Sequence, residues 1–445
     1  MVRISIFGLG PVGLATAVCF AAKGYRVLGV DPDTERVKLL QRGQPPFYEP
    51  RLRPLLRRAI AKRKLEIAAD PTGNSRSDFA FITVGTPSND DGSINLTYVR
   101  KAASEIGESL RASKRRQVVV VKSTVTPGTA RKIVKPTVRA ASGRTYAKDF
   151  FVCSNPEFLR EGNAIQDTQF PDRIIIGSDE ERSVRRLENL YRNFHGRGTP
   201  SIIRTSFENA ELIKYANNAF LAGKISFINC IANIAERTPG ADIQTIAGGI
   251  GLDRRIGPRF LNAGLGWGGS CFPKDLRALL SLSKSLGYEP AMIKAAIETN
   301  QAQWARAVEI CKQGLEGLQG RTIAVLGLSF KPNTDDVREA VSIPLVKELL
   351  KEGATVRAYD PAAMNSARSV LGESVEYAST PLTCIDGADC CILVTEWEEF
   401  KKLQPSDFVA RLRRPFVIDG RRIYNAARFR RAGIVFHAVG LGPAE

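Results

Sequence analysis

The chain of 445 residues has only two histidines, His195 and His437, and no two of its eight cysteines form a C-x-x-C pair. Structural zinc sites are commonly built from such pairs and from histidines, so we expect no metal site. No uncharged apolar run reaches the roughly 18–20 residues that a bilayer-spanning helix needs. The apolar stretch 4–22 lacks the basic segment and cleavage site of a secretion signal. We therefore expect a cytoplasmic protein with no membrane partner, in which most cysteines are small buried apolar residues.

Acidic residues are scarce relative to basic ones. The chain has 64 Lys+Arg against 46 Asp+Glu, a formal net charge of +18 at pH 7. Residues 51–64 hold seven basic and no acidic residues, and residues 401–445 hold ten basic and three acidic. Such blocks raise the possibility of a polyanionic partner. In the first block five apolar residues recur at helical spacing, namely Leu52, Leu55, Leu56, Ala59 and Ile60. This pattern predicts an amphipathic helix with a solvated basic face, and we expect no nucleic-acid partner.

The N-terminus carries a glycine-rich turn between a predicted strand and a predicted helix. Apolar residues Ile4–Phe7 precede Gly8-x-Gly10-x-x-Gly13, and a second strand, Tyr25–Val30, ends at Asp31. This is the dinucleotide-binding fingerprint in its required strand, turn, helix, strand and acid context. The Asp31 carboxylate favours the ribose 2′-OH of NAD and repels the 2′-phosphate of NADP. Arg36, on the following helix, leaves NADP open as an alternative.

Strands and helices alternate through the first 200 residues, which predicts a doubly wound parallel sheet. Phe79–Val84 and Val118–Lys122 read as strands that end in Gly/Ser/Thr/Pro turns, and ligands bind beyond such strand ends. Residues 206–238 and 288–313 read as long helices with few breakers.

The α/β rhythm restarts near residue 320, where Tyr359-Asp360-Pro361 echoes Val30-Asp31-Pro32. This second copy lacks the three-glycine turn, so we expect it to bind something other than a dinucleotide. With 43% hydrophobic and 25% charged residues, the composition is that of a globular protein. We predict two Rossmann-like, doubly wound parallel-sheet α/β domains joined by a long central helical region, with boundaries 1–200, 201–314 and 315–445.

Three further segments combine residue types suited to catalysis. Gly266–Asp275 places three glycines before Cys271, with Lys274 and Asp275 close behind. The glycines would expose backbone N–H groups to a ligand, and nearby positive charge makes a thiol reactive. Asn155–Glu161 holds two acids four residues apart, which would share a face if the segment is helical. Lys214 and Asn218, four apart in an otherwise apolar helical stretch, need polar partners or a substrate. The alternatives are, in the same order, a glycine-rich loop with a buried cysteine, an N-terminal helix turn, and hydrogen bonding between helices.

Together these motifs resemble the UDP-glucose/GDP-mannose dehydrogenase family. They follow the family's order along nearly the whole chain: the glycine fingerprint, Ser123-Thr124 with Pro127-Gly128, Asn155–Glu161, Glu211–Asn218, Gly266–Asp275, Gly327–Ala340 and Asp419-Gly420-Arg421. The cysteine loop and the segment Phe330–Asp336 are the most specific. Pro156–Glu161 and Pro171-Asp172-Arg173 are most similar to members that act on UDP-glucose. Cys230 departs from many bacterial members, which have a glutamate there, and we expect it to have a packing role.

The resemblance implies an NAD-dependent, four-electron oxidation of the C6 alcohol of UDP-glucose to the carboxylate of UDP-glucuronate. It implies that Cys271 forms a thiohemiacetal and then a thioester, that Lys214 and Asn218 stabilise the oxyanion, and that Asp275 and Thr124 hold a water that accepts the proton. Glu157 or Glu161 would assist hydrolysis of the thioester. Since neither histidine lies near these motifs, we expect structural roles for both.

The resemblance, with the fingerprint, also gives expected binding residues. Those for the cofactor are Gly8, Gly10, Val12, Gly13, Asp31, Arg36, Thr86, Thr124, Glu161 and Arg338. Those for the substrate are Glu157, Phe158, Leu159, Lys214, Asn218, Arg255, Phe260, Gly268, Phe330, Lys331 and Arg421, with Arg255 crossing from a partner subunit. A homodimer or higher homo-oligomer is implied. Two alternatives stay open: the same chemistry on GDP-mannose or a UDP-N-acetylhexosamine, and a nucleic-acid-binding protein whose catalysis is secondary or lost.

Overall fold

The computed structural model describes residues 2–111, 113 and 115–443. The chain forms two compact units. Unit 1 comprises Met1–Asn217 and Arg277–Leu286, and unit 2 comprises Asn218–Leu276 and Gly287–Glu445. Each unit is built around one β-sheet.

Unit 1 contains an eight-stranded sheet. Its strands are β1 (Arg3–Phe7), β2 (Arg26–Val30), β3 (Leu65–Ala68), β4 (Phe79–Ile82), β5 (Gln117–Val121), β6 (Phe150–Ser154), β7 (Arg173–Gly177) and β8 (Ser201–Thr205). Their order across the sheet is β3-β2-β1-β4-β5-β6-β7-β8. All neighbours are parallel except β6 and β7. The order 3-2-1-4-5-6 of the first six strands is that of the dinucleotide-binding Rossmann fold, with its switch point between β1 and β4.

Helices cover both faces of this sheet. They are α1 (Pro11–Ala22), α2 (Thr34–Gln41), α3 (Leu52–Ala61), α4 (Thr97–Arg111), α5 (Lys135–Ser142), α6 (Ala164–Gln169) and α7 (Glu181–His195), with single turns at Thr72–Arg76, Ala130–Val134 and Gly196–Gly198. Successive residues of β5 enter different apolar cores: Val118 and Val120 face one cluster, and Val119 and Val121 face the other. A strand buried on both faces must be apolar throughout, which explains the valine run.

Unit 2 repeats the strand order with six parallel strands. They are β9 (Thr322–Leu326), β10 (Thr355–Tyr359), β11 (Val375–Tyr377), β12 (Cys390–Leu393), β13 (Phe416–Asp419) and β14 (Val435–Ala438). The order β11-β10-β9-β12-β13-β14 is again 3-2-1-4-5-6. Apolar clusters pack on each face of this sheet as well.

The remaining helices follow in chain order. They are α8 (Phe207–Ala235), α9 (Ile243–Gly251), α10 (Phe272–Ser285), α11 (Ala291–Gln303), α12 (Ala305–Gly314), α13 (Ser342–Lys351), α14 (Met364–Leu371), α15 (Pro381–Ile385), α16 (Glu398–Lys401), α17 (Pro405–Arg411) and α18 (Ala426–Arg431). A single turn also lies at Gly372–Ser374.

The predicted fold class is confirmed, with two Rossmann-like sheets and a long helix, α8, in the chain between them. Within the basic block 51–64, Leu52–Ala61 forms the amphipathic helix α3, which buries Leu52, Leu56 and Ala59. The predicted helix 288–313 is two helices, because Trp304 separates α11 from α12. No helix in the described part of the chain has both the length and the hydropathy that a bilayer crossing demands.

Candidate active site

Each of the three glycines in the turn between β1 and α1 suits its position for a different physical reason. Gly8 has φ +95°, and a Cβ there would lie 2.8 Å from the Cα of Val84. A Cβ on Gly13 would lie 1.8 Å from the carbonyl oxygen of Gly8, so the helix can pack here only without a side chain. A Cβ on Gly10 would meet no protein atom within 4 Å. Gly10 is the N-cap of α1, and half-buried Val12 lies in its first turn. The open backbone and the positive end of the helix dipole together suit an anion.

The carboxylate of Asp31 fastens the end of β2 to this turn. It accepts hydrogen bonds from the backbone N–H groups of Leu9 (2.8 Å) and Asp33 (3.0 Å). The guanidinium of Arg36 donates to the same carboxylate at 3.0 Å. Since Arg36 is already paired with Asp31, its charge is compensated, which weakens the case for a 2′-phosphate at this position.

The turns after β4 and β5 are held to each other. Thr86, which is buried, donates its hydroxyl to the carbonyl oxygen of Thr124 at 2.9 Å. The Ser123 hydroxyl donates to the carbonyl oxygen of Val84 at 2.7 Å. Because β1, β4 and β5 are parallel neighbours, these turns lie at the same sheet edge as the glycine-rich turn. Thr86 and Thr124 are therefore placed where such sheets bind ligands.

The segment after β6 is irregular, and the next helix begins only at Ala164. The condition under which Glu157 and Glu161 would share a helix face is therefore not met. The physical reason is local: the Glu157 carboxylate accepts the backbone N–H of Leu159 at 2.5 Å, and such a bond competes with helical hydrogen bonding. The other Glu157 oxygen lies 3.1 Å from the Nζ of Lys214, and both side chains are buried. Glu161 is half-buried in the turn that follows.

The ring of Phe158 lies between two cations. The Arg173 guanidinium is 3.9 Å from the ring centroid, and the Lys214 ammonium is 5.4 Å from it. Arg173 also donates to the Asn217 side-chain oxygen at 2.6 Å. Cation–π contacts are attractive, so the ring helps to hold both charges in place. Unit 1 thus brings together three of the predicted substrate residues, Glu157, Phe158 and Lys214, while Leu159 packs on the core.

Lys122 is a charged residue of this cluster that the sequence analysis missed. Its Nζ lies 3.3 Å from the side-chain oxygen of Asn155. Burial lowers the pKa of Lys122 to about 8, an effect that Glu157 opposes and the charge of Lys214 reinforces. The available signal was a lysine that directly follows a buried run of four valines and directly precedes Ser123.

In unit 2, Cys271 immediately precedes helix α10. Its carbonyl oxygen accepts the backbone N–H of Asp275 at 2.9 Å, which is the first helical bond. The Ser270 hydroxyl lies 3.6 Å from the Cys271 sulfur. The positive end of a helix dipole favours negative charge, so the position suits a thiolate nucleophile.

The glycines before Cys271 serve packing, so the prediction that they expose N–H groups to a ligand is wrong for Gly269. The N–H of Gly269 donates to the carbonyl oxygen of Arg338 at 3.1 Å. A Cβ there would lie 2.7 Å from the ring of Phe330. A Cβ on Gly268 would lie 2.1 Å from the carbonyl oxygen of Glu339. Close approach of another segment of unit 2 is what requires glycine here.

Asn218 and Asp275 form a buried polar pair in unit 2. The Asn218 amide donates to one carboxylate oxygen of Asp275 at 2.6 Å, and Lys274 donates to the other at 2.6 Å. Asn218 is 4% exposed and Asp275 is 1% exposed. A carboxylate this deeply buried needs such donors, because an unpaired charge in the interior is very costly.

The predicted nucleotide-contacting residues of unit 2 follow β9. The Lys331 ammonium lies 5.4 Å from the ring centroid of Phe330. Arg338 donates to both carboxylate oxygens of Asp336, at 2.6 to 3.0 Å. The Arg338 side chain is 63% exposed. A side chain with this exposure can exchange its partner for an anion.

Arg421 follows β13 and is held by backbone groups. Its guanidinium donates to the carbonyl oxygens of Val394 (2.6 Å) and Gly266 (3.1 Å). Its backbone N–H donates to the buried carboxylate of Asp419 at 3.0 Å. The arginine therefore connects the end of β13 to the cysteine loop within unit 2.

Two predicted substrate residues lie between α9 and the cysteine loop. Arg255 pairs with Asp253 at 2.7 Å, and its side chain is 89% exposed. Phe260 is half-buried and has φ +64°, a conformation that is unusual for a residue with a side chain. The structure places neither side chain among the buried polar groups described above.

Both histidines pack against aromatic rings. The His195 ring lies 4.6 Å from that of Phe194, and the His437 ring lies 5.6 Å from that of Phe416. Burial lowers the pKa of both histidines. These surroundings fit the structural roles expected for them.

Six cysteines are buried, as expected: Cys19, Cys153, Cys311, Cys384, Cys390 and Cys391. Cys230 is instead exposed on α8, 3.6 Å from the Thr299 hydroxyl, so the packing role expected for it stays a prediction. Cys271 is half-buried. Burial raises the pKa of Cys153 and Cys384 to about 12. Those thiols are therefore unreactive, and exposure distinguishes Cys271 from them.

Three family models match the chain. They are the NAD binding domain (residues 2–195), the central domain (residues 208–302) and the UDP binding domain (residues 324–426) of the UDP-glucose/GDP-mannose dehydrogenase family. The chain is 44% identical over 441 residues to UDP-glucose 6-dehydrogenase TuaD of Bacillus subtilis, covering 99% of this chain and 93% of that protein. The chain belongs to the UDP-glucose/GDP-mannose dehydrogenase family.

Solved structures agree with this assignment. A UDP-glucose dehydrogenase from the hyperthermophilic archaeon Pyrobaculum islandicum has a TM-score of 0.91 and 41% identity, covering 99% of this chain and 98% of that one. A UDP-D-ManNAc dehydrogenase from Pyrococcus horikoshii has a TM-score of 0.86 and 27% identity, covering 98% and 99%. The resemblance inferred from the motifs is confirmed.

NAD is the cofactor of this dehydrogenase, and the residues of unit 1 fit it. The backbone at Gly10 leaves the space that a Cβ would fill, at the N-terminus of α1, where a pyrophosphate is favoured. The Asp31 carboxylate stands at the end of β2, where an acidic residue accepts hydrogen bonds from the ribose. When bound, NAD supplies a hydride acceptor.

The two glycines Gly10 and Gly13 offer a matched test of this fit. Gly10 has φ −71°, which alanine also adopts, and open space around its Cβ position, so Gly10→Ala is expected to fold normally and to raise the KM for NAD about tenfold or more. Gly13→Ala is expected to destabilise the fold by about 1–3 kcal/mol through overpacking. Thermal unfolding and steady-state kinetics measure both effects. A Gly10→Ala variant with unchanged KM for NAD would contradict the assignment.

Proposed function

We propose that this dehydrogenase oxidises the C6 alcohol of UDP-glucose to the carboxylate of UDP-glucuronate, reducing two NAD. The observation that carries the proposal is the placement of Cys271 at the N-terminus of α10, one helical turn from the buried Asn218–Asp275 pair. An enzyme that only makes an aldehyde needs no nucleophile. An aldehyde must become tetrahedral before it can lose a second hydride, and a thiol supplies that step.

The first oxidation removes a hydride from C6 and a proton from its hydroxyl. The carboxylate of Asp275 accepts this proton through a water molecule, and Thr124 is assigned to the same water by family resemblance. Lys214 and Asn218 donate hydrogen bonds to the oxygen as it gains negative charge. Preorganised donors of this kind are worth about 3–4 kcal/mol each. The buried contacts of Lys214 with Glu157 and of Asn218 with Asp275 support such preorganisation.

In the second oxidation the sulfur of Cys271 adds to the aldehyde carbon and the carbonyl oxygen takes up a proton, giving a thiohemiacetal. Loss of hydride from that carbon, with release of the hydroxyl proton, gives a thioester. Water then cleaves the C–S bond, which returns the thiol and releases the carboxylate. Glu157 or Glu161 orients and deprotonates this water. The half-buried position of Glu161 in an irregular turn supports an assisting role.

The uridine diphosphate part is assigned to unit 2. Phe330 and Lys331 contact the nucleotide, and Arg421 contacts its phosphates or ribose. The UDP binding domain model over residues 324–426 supports this assignment. Gly268 and Phe260 are assigned to the substrate, and Arg338 is assigned to the cofactor.

Three further expectations stay predictions. A homodimer or higher homo-oligomer, with Arg255 crossing between subunits, is supported by the exposure of that side chain. The domain boundaries 1–200, 201–314 and 315–445 and a cytoplasmic location are likewise carried forward. UDP-glucose is preferred to GDP-mannose and to UDP-N-acetylhexosamines because the relative at 44% identity is named a UDP-glucose 6-dehydrogenase.

The stoichiometry of the reaction tests the proposal. The purified protein is expected to form two NADH per UDP-glucose, and much less NADH with GDP-mannose or UDP-N-acetylhexosamines, in an assay with limiting sugar nucleotide. A ratio of one NADH would exclude the second oxidation. Turnover of a different sugar nucleotide alone would leave the chemistry standing and change the substrate.

Replacement of the nucleophile tests the covalent steps. Cys271→Ser is expected to lower net formation of UDP-glucuronate by about a thousandfold or more, because a serine hydroxyl is a far weaker nucleophile at neutral pH. Binding of NAD, measured by fluorescence titration, is expected to stay within about twofold of wild type. Cys230→Ser, which removes an exposed thiol elsewhere, is the matched control. Full activity of Cys271→Ser would show that no thioester forms there.

A further inference from the structure

Two buried glutamates of unit 1, Glu49 and Glu211, have no role in the chemistry proposed above. Glu49 is 8% exposed and Glu211 is 2% exposed. Each carboxylate accepts hydrogen bonds from two backbone N–H groups in a loop that is remote in sequence. Buried carboxylates are uncommon, and these two share the same geometry, one oxygen to each N–H.

Glu211 holds the loop that follows β5. One oxygen accepts the N–H of Gly128 at 2.5 Å, and the other accepts the N–H of Ala130 at 2.9 Å. This loop begins with Ser123 and Thr124. Glu211 lies on α8 three residues before Lys214, so the two side chains share one face of the helix. The contact therefore fixes the helix that carries Lys214 against the loop that carries Thr124.

Glu49 holds the loop that follows β6. Its two oxygens accept the N–H groups of Gly162 at 2.8 Å and of Ala164 at 2.9 Å. Gly162 directly follows Glu161 and has φ +77°. The loop that carries Glu157 and Glu161 is thus closed at its far end by a carboxylate more than a hundred residues away in sequence.

The chemistry of these contacts requires a carboxylate. Two converging N–H groups need two acceptor oxygens, and a glutamine supplies only one, because its NH₂ group is itself a donor. A buried donor that is left without an acceptor destabilises the loop that carries it. Burial raises the pKa of Glu211, and backbone hydrogen bonds from Ala130, Gly128 and Thr129 oppose the rise. Because both oxygens accept N–H groups, the geometry is that of the ionised carboxylate.

We propose that Glu49 and Glu211 are positioning residues: Glu49 sets the loop of Glu157 and Glu161 for thioester hydrolysis, and Glu211 sets Lys214 and the Thr124 loop for the first hydride transfer. The inference rests on the proposed function. If a glutamate had only a structural role, its substitution would lower the rates of all steps together, in proportion to the loss of folded protein. If it has a positioning role, its substitution slows one step and leaves the rates of the others unchanged.

Glu49→Gln and Glu211→Gln separate these readings in stopped-flow assays of NADH formation. Glu49→Gln is expected to give a rapid burst of about two NADH per site and a steady state slowed about tenfold or more, because hydrolysis becomes limiting. Glu211→Gln is expected to slow the first NADH about tenfold or more without a burst, with KM for UDP-glucose within about threefold of wild type.

Matched controls are exposed, ion-paired glutamates of the same unit. Glu208 lies one turn before Glu211 on α8 and pairs with Arg131 at 2.6 Å, and Glu35 on α2 pairs with Lys38 at 2.7 Å. The substitutions Glu208→Gln and Glu35→Gln remove these ion pairs. Both are expected to keep wild-type kinetics. The proposal is overturned if Glu49→Gln shows no burst, or if Glu211→Gln behaves as Glu208→Gln after correction for folded fraction.

A double-mutant cycle identifies the group through which Glu49 acts. If Glu49 positions Glu161, the decreases in steady-state rate caused by Glu49→Gln and by Glu161→Gln are expected to be strongly non-additive in the double variant. Additive decreases would contradict the link between Glu49 and Glu161. If the glutamine variants fail to fold, Glu49→Asp and Glu211→Asp keep both acceptor oxygens but retract them by one methylene. In these variants the rate of the corresponding step, thioester hydrolysis for Glu49→Asp and the first hydride transfer for Glu211→Asp, is expected to fall about three- to tenfold. Unchanged rates would overturn the proposal.

Backbone amide exchange gives a readout that does not depend on the reaction. Exchange at Gly162 and Ala164 is expected to accelerate about tenfold or more in Glu49→Gln or Glu49→Asp and to stay unchanged in Glu35→Gln. If the wild type oxidises no nucleotide sugar, the proposed function fails while this measurement still decides whether Glu49 holds the loop. Unchanged exchange at both amides would show that it does not.

Discussion

The structure depends on buried carboxylates that accept backbone N–H groups at the ends of parallel strands. The loops there leave the strand ladder, so their N–H groups need other acceptors if they are buried. Charge-assisted hydrogen bonds meet that need and are stronger than neutral ones. Asp31, Asp360, Asp419, Glu49 and Glu211 all act in this way. In unit 1, these contacts hold the irregular segments to which we assign the chemistry.

Both sheets have an aspartate that accepts a backbone N–H from the turn after the first strand, but the two aspartates differ in their other hydrogen bonds. Asp31 accepts the N–H of Leu9 at 2.8 Å, and Asp360 accepts the N–H of Leu328 at 2.8 Å. Asp360 also accepts the N–H and hydroxyl of Ser329. Its remaining capacity is taken by three further protein donors, so no oxygen is left for a ribose. This difference gives a physical reason to expect something other than a dinucleotide at the second sheet.

The sequence predicted the features that short spacing determines. The glycine turn with Asp31, the two α/β repeats and the amphipathic helix α3 each occupy a short stretch whose pattern has one physical solution. The irregular loop of Glu157 could not be foreseen, because a side-chain contact with the backbone two residues ahead competes with the helix that spacing alone allowed. The glycines before Cys271 were misread because their neighbours, Phe330 and Glu339, are distant in sequence.

Long-range partners account for most of what could not be foreseen. Glu211 meets Gly128 across 83 residues, and Glu49 meets Ala164 across 115. No periodicity in the sequence signals such pairs, since each glutamate looks locally like a surface charge. The net charge of +18 was also ambiguous on its own. The fold places Arg53, Arg57 and Arg58 of the basic block on the exposed face of α3, and the anions implied by the motifs are two small pyrophosphates.

The central claim is that one cysteine carries the sugar between two hydride transfers. Acid quenching during a single turnover of UDP-glucose, followed by proteolysis and mass spectrometry, tests it most directly in the wild type and in Glu161→Gln. The account predicts a UDP-glucuronyl thioester on the peptide that contains Cys271, with more of it in Glu161→Gln. Formation of two NADH per sugar with no adduct on Cys271 at any quench time in either protein would contradict it.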